Sequence, residues 1–105
     1  METIIVNGKT YYSESKKQFD GPIKIVILQR GWVMIGRFER NGSDCKLHDA
    51  SVIRNWGTTK GLGELAIEGK KKDTKLDKCG GVVEFDYLTV IAAISVDESK
   101  WQNEI

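Results

Sequence analysis

One proline, one histidine and two cysteines are all that this 105-residue chain holds of the residues that most often stiffen loops, bind metals or cross-link a fold. Two cysteines, Cys45 and Cys79, cannot supply the dense disulfide framework of small secreted domains, and they do not form a Cys-x-x-Cys pair. The N-terminus lacks the basic and apolar regions of a signal peptide. Reduced thiols in a cytoplasmic setting are therefore expected. A structural zinc site needs four ligands. Cys45, Cys79, His48 and Asp49 can be counted as a set, but their spacing is not that of a metal site, so neither a metal nor a cofactor is expected. No apolar run approaches the ~20 residues that span a bilayer, which argues against a membrane partner.

An excess of charge is missing too. Sixteen basic and fifteen acidic residues leave a net charge of +1. No global field draws the chain to nucleic acid, which is not expected as a partner. One local excess stands out: Lys70, Lys71, Lys72, Lys75 and Lys78, interrupted by Asp73 and Asp77, read as a solvated basic loop. The parts of a catalytic centre are absent as well. His48 and Asp49 are adjacent, so in a strand they point to opposite faces. Glu14, Asp20, Glu39, Asp44, Asp86 and Glu98 fall in turns or exposed phases and cannot be paired for acid–base work. No nucleophile has a positioned base. The chain is expected not to be an enzyme.

What is present is a pattern of short strands. At 105 residues the chain fits a single domain, 1–105. Asn7-Gly8 and Asn41-Gly42 sit between β-formers and predict two-residue hairpin turns. Ser13 to Gly21 is polar and reads as a loop. After Pro22 comes a strand in which Ile23, Ile25 and Ile27 share one face while Val26 and Leu28 lie on the other. Apolar character on both faces predicts a central or covered strand. Trp32, Met34, Gly36 and Phe38 are in one phase of the next strand; Val33 and Ile35 are in the other. Gly36 in mid-strand suggests a bend or a close backbone approach. A strand returns through Leu47 and on to Val52 and Arg54, with Ile53 on the opposite face. Leu62, Leu65 and Ala66 recur at helical spacing, and Gly69 is placed to end that helix. Two more strands follow, then a helical turn with Asp97 as its cap. The fold class expected is mainly β: a small, strongly bent barrel of SH3-like or Sm-like type, with one short inserted helix at about residues 61–69 and a C-terminal helical turn.

Gly36, Leu47-x-Asp49-Ala50, Trp56, Leu62-x-x-Leu65-Ala66-x-x-Gly69 and Trp101 together resemble a family of small phage and prophage proteins of unknown function. The likeness covers roughly residues 22 to 101. It implies a β-rich fold, a viral setting and the host bacterial cytoplasm, and it brings no established activity. Gly36-x-Phe38, a polar turn and Leu47-x-Asp49-Ala50 also faintly resemble the strand-turn-strand core of Sm-like RNA-binding proteins, which form rings.

The segment from Arg54 to Gly69 is the candidate site. Its Lys60 precedes Gly61 and Gly63, so it matches neither the P-loop nor the dinucleotide fingerprint. Two readings are open. Arg54, Trp56, Thr58, Thr59, Lys60 and Gly61 could form an anion site, the phosphate meeting Lys60 and the helix start and a base stacking on Trp56. Alternatively, Gly57 permits a turn, Thr59 or Gly61 caps the helix, and Glu64 closes a capping box. Trp32 and Trp56 read as core or subunit-contact residues. Adjacent Tyr11 and Tyr12 face opposite ways and favour self-association.

The function expected is that of a homo-oligomeric, non-enzymatic phage-type protein that sequesters an anionic nucleotide-like ligand, in that setting a host immune signal. The alternatives are a protein-binding inhibitor of a host defence enzyme, acting through a strand edge or the basic loop, and an Sm-like RNA-binding ring.

Overall fold

A computed structural model describes residues 19–105. The Asn7-Gly8 turn, the Tyr11–Tyr12 pair and most of the predicted loop from Ser13 lie outside the described residues. The elements run β1 (Ile23–Leu28), β2 (Trp32–Asn41), β3 (Asp44–Asn55), α1 (Leu62–Glu68), β4 (Lys75–Lys78), β5 (Val83–Asp86), β6 (Val90–Ser95) and α2 (Glu98–Trp101). The six strands form one antiparallel sheet in the order β4-β3-β2-β1-β6, with β5 also on β3. β4 pairs with Ser51–Asn55 of β3 and β5 with Asp44–Leu47, so the two short strands divide one edge of β3 between them.

The fold is mainly β, with the inserted helix and the C-terminal helical turn where the sequence puts them. The sheet, however, is not closed among the described residues. β5 is followed by a tight 3₁₀ turn, Tyr87–Thr89, in which Asp86 Oδ1 accepts the Leu88 N–H at 2.8 Å. β6 then pairs with β1, and no ladder joins it to β5. The described strands therefore form an open sheet and do not by themselves close the expected barrel. A second difference concerns the basic stretch. Its last part is strand β4, whose half-buried Leu76 packs against the core while its charged neighbours face solvent.

β1 lies between β2 and β6 and has apolar residues on both faces because each face covers its own cluster. Ile23, Ile25, Ile35 and Ile53 pack with Leu65 and Ala66 of α1 and Trp101 of α2. Val26, Met34, Leu47 and Ala50 form the second cluster, extended by Phe38, Val52 and Phe85. Trp101 is fully buried, and its indole N–H donates to the Leu65 carbonyl at 3.1 Å, tying α2 to α1. Asp97 caps α2, its Oδ1 accepting the Ser99 N–H at 3.1 Å.

Gly36 sits where the β2–β3 register shifts and the backbones approach closely. A Cβ there would lie 2.7 Å from the His48 carbonyl oxygen and 2.8 Å from Leu47 Cγ. Opposite it the register shifts: Ile35 pairs with Ser51 but Arg37 with His48, so Asp49 and Ala50 together face Gly36. This is a β-bulge, and Asp49 takes the left-handed conformation (φ 54°) within it.

Candidate functional site

The predicted anion loop is folded onto itself. Gly57 is required there, because a Cβ would strike the Asp73–Thr74 peptide. Thr74 Oγ1 donates to the Trp56 carbonyl at 2.7 Å, which pins the loop to the segment before β4. Thr58 Oγ1 donates to the Gly61 carbonyl at 2.9 Å. Gly61 is the N-cap residue of α1 and offers no side-chain cap. Glu64 fills that role from inside the helix. Its Oε1 accepts the Lys60 backbone N–H at 2.9 Å and the Thr59 hydroxyl at 3.3 Å. A carboxylate thus holds the Lys60 N–H and the Thr59 hydroxyl, and its charge suits the positive end of the helix. These hydrogen bonds are of the kind the capping reading expects, with Lys60 rather than Gly61 as the backbone donor. Lys71 lies 3.8 Å from Glu64 and also binds Glu68. The hydrogen bond to Lys71 holds the Glu68 carboxyl below its usual range, and the same bond raises the Lys71 ammonium.

Arg54 stands apart from that loop. It lines a shallow cleft of about 290 Å³ with Arg30, Trp32, Val33, Val52 and Ile53. Trp56, Thr58, Thr59, Lys60 and Gly61 are not among the lining residues. Trp32 is 50% exposed, against 41% for Trp56, so neither tryptophan is a core residue in this chain. Arg30 sits in the three-residue turn between β1 and β2 with a left-handed backbone (φ 69°, ψ 18°), followed by Gly31 at φ 80°. That conformation is uncommon in a residue bearing a Cβ, and such strain collects at functional sites. Arg54 donates to Asp77 Oδ2 through Nε at 3.2 Å and Nη2 at 2.9 Å, and both side chains are more than half exposed. An exposed pair of this kind contributes about 0–1 kcal/mol, so an incoming anion displaces it cheaply.

Elsewhere the chemistry is quieter. His48 and Glu39 lie 2.7 Å apart, and Phe19 stacks on the imidazole at 4.4 Å. No local pattern marks that pair, since the two residues meet only across β2 and β3. A second concavity is lined by Asp44, Lys46, Glu84 and Asp86 with buried Cys45 behind them. Burial pushes the Cys45 thiol above its usual pKa, which keeps it protonated. Among the described residues no three His, Cys, Asp or Glu side chains are placed to hold a metal ion, and no helix is long and apolar enough to cross a membrane.

No family model matches this chain, and no curated protein matches it.

Proposed function

We propose that this chain is a non-enzymatic binding protein that captures an anionic, nucleotide-like ligand in the cleft of Arg30, Trp32 and Arg54. One observation carries it: a half-exposed indole shares a cleft with two arginines. An indole face stacks on a nucleobase, and guanidinium groups match phosphate oxygens in a bidentate fork. The phage setting comes from the sequence resemblance alone. In that setting the ligand is a host immune signalling nucleotide, and tight capture is its sequestration.

The test is a thermal-shift and tryptophan-fluorescence screen of linear and cyclic nucleotides against the full chain. A ligand at a hundred times its Kd stabilises the folded state by about 2.7 kcal/mol. Trp32→Ala should remove about 1–3 kcal/mol of stacking and leave the fold intact, because half of that side chain is already in solvent. Trp56→Ala should leave affinity unchanged. If Trp56→Ala abolishes binding and Trp32→Ala does not, the ligand sits at the loop instead. No shift with any nucleotide, together with a host protein recovered in a pull-down, replaces this function by that of an inhibitor.

A further inference from the structure

We propose that the outer edge of β6 is the docking site for a second copy of this chain, β6 against β6 in antiparallel pairing about a two-fold axis. Among the described residues β6 pairs only with β1, so its other row of backbone N–H and C=O groups faces no strand. Such a row templates pairing with another chain, and proteins ordinarily guard it with charge, proline or a bulge. The opposite edge of this sheet is guarded: β4 reads Lys-Leu-Asp-Lys and β5 Val-Glu-Phe-Asp. β6 reads Val-Ile-Ala-Ala-Ile-Ser, with neither charge nor proline. The register shift opposite Ile27 and Leu28 disturbs only its first residues, and Ala92 to Ser95 remain in regular pairing with β1. Large apolar side chains stay in solvent beside this edge: Leu88 is 82% exposed and Ile91 is 65% exposed.

Charge identifies the occupant. Set against the other edge of a neighbouring copy, Ile91 and Ala93 would lie beside Lys75, Asp77 and Lys78 or beside Glu84 and Asp86, and apolar groups would desolvate charges. Set against a second β6, apolar side chains meet their own kind and no like charges face each other. Lys24, on the neighbouring β1, is turned onto Ser95 Oγ at 3.1 Å. Ala92 and Ala93 are small enough to let the two strands close near the axis, and an isologous contact of this type ends at two subunits. A pair of six-residue strands buries less than the ~1,200 Å² of a standard stable interface, so the dimer is weak and concentration-dependent.

The test uses the full chain, in light scattering over a concentration series and in amide hydrogen exchange at each concentration. The mass should climb towards twice the monomer value, and the outward amides of β6 should gain protection in step. Ala93→Lys and Ile91→Lys, both at exposed positions, should hold the chain monomeric with an unchanged circular-dichroism spectrum. Three results overturn the proposal: a monomer up to millimolar concentration; a dimer that survives both lysine variants; or β6 amides protected equally at every concentration, which would mean that residues 1–18 of the same chain cover the edge.

Discussion

Replacing Glu64 by alanine separates the two jobs open to the turn between Trp56 and α1. In the folded chain Glu64 Oε1 accepts the Lys60 N–H at 2.9 Å and the Thr59 hydroxyl at 3.3 Å, and its side chain is only 11% exposed. A hydrogen bond to a charged acceptor is worth about 1.5–3 kcal/mol, and the charge at the helix start about 0.3–1 kcal/mol. Part of this returns when water reaches the freed donors, which leaves a loss of about 1–2 kcal/mol. For a domain of this size that lowers Tm by about 5–10 °C. Glu64→Gln keeps an acceptor oxygen and should lose about half as much. Thermal and urea unfolding in chloride and in phosphate, at matched ionic strength, read both jobs at once. Wild type should gain nothing from phosphate at this turn, because Glu64 already holds the Lys60 N–H and the Thr59 hydroxyl, and any gain through the arginine cleft should be equal in wild type and variant. The alanine variant should recover part of its loss in phosphate. Unchanged stability on Glu64→Ala refutes the cap. A phosphate gain in wild type that disappears in Lys60→Ala restores the anion site.

Gly36→Ala should cost about 1–3 kcal/mol in urea unfolding, since the new methyl meets the His48 carbonyl at 2.7 Å and buried Leu47 at 2.8 Å; a neutral result would mean that the bulge yields. Trp101→Ala should cost about 3–5 kcal/mol, because the indole is fully buried and also satisfies the Leu65 carbonyl; a loss below about 2 kcal/mol would show that α2 is not part of the cooperative unit. Asp97 gives a pH signature. The Ser99 hydroxyl, then the Ser99 N–H and Lys100, lower its pKa. A carboxyl lowered on folding stabilises the fold above its unfolded pKa, and that share is lost as pH falls through the folded value. The Tm gap between wild type and Asp97→Asn should therefore be constant near neutrality and narrow in acid. A gap that keeps its size in acid refutes the cap's ionic share.

Much of the fold was legible because the relevant signals are local. The β2–β3 hairpin is there, but its two-residue turn is Gly42-Ser43, one residue later than the expected Asn41-Gly42: Asn41 still pairs with Asp44, and Gly42 takes the positive φ (65°) that opens the turn. Gly69 ends α1, its N–H reaching the Leu65 carbonyl at 3.0 Å. Apolar residues in both phases of β1 marked a strand covered on both faces. β4 was hidden for a physical reason. It has one apolar residue among three charged ones, and that composition suits both a solvated loop and a guarded edge strand. Closure of the barrel was equally out of reach. It depends on whether β5 and β6 pair with each other, and the short turn between them does not decide that.

The cleft was hidden by a single count. From the Gly42–Ser43 turn, Arg40 pairs with Cys45, Phe38 with Leu47 and Arg37 with His48. Continued without interruption, this ladder would set Ile53 opposite Trp32. At Gly36 the partner strand inserts one residue, so Ile35 meets Ser51 and Met34 meets Val52. Carried to the end of β2, the shifted register brings Arg54, not Ile53, to the level of Trp32, and both line the cleft. A one-residue slip also reverses faces, so Arg54 comes to the side of Trp32 while Ile53 turns to the cluster beneath the helices. The sequence marked Gly36 as a bend and Arg54 as a candidate ligand, but it gave no means of linking them. The bulge links them: it exchanges an isoleucine beside an exposed tryptophan for an arginine, and the proposed binding cleft rests on that exchange.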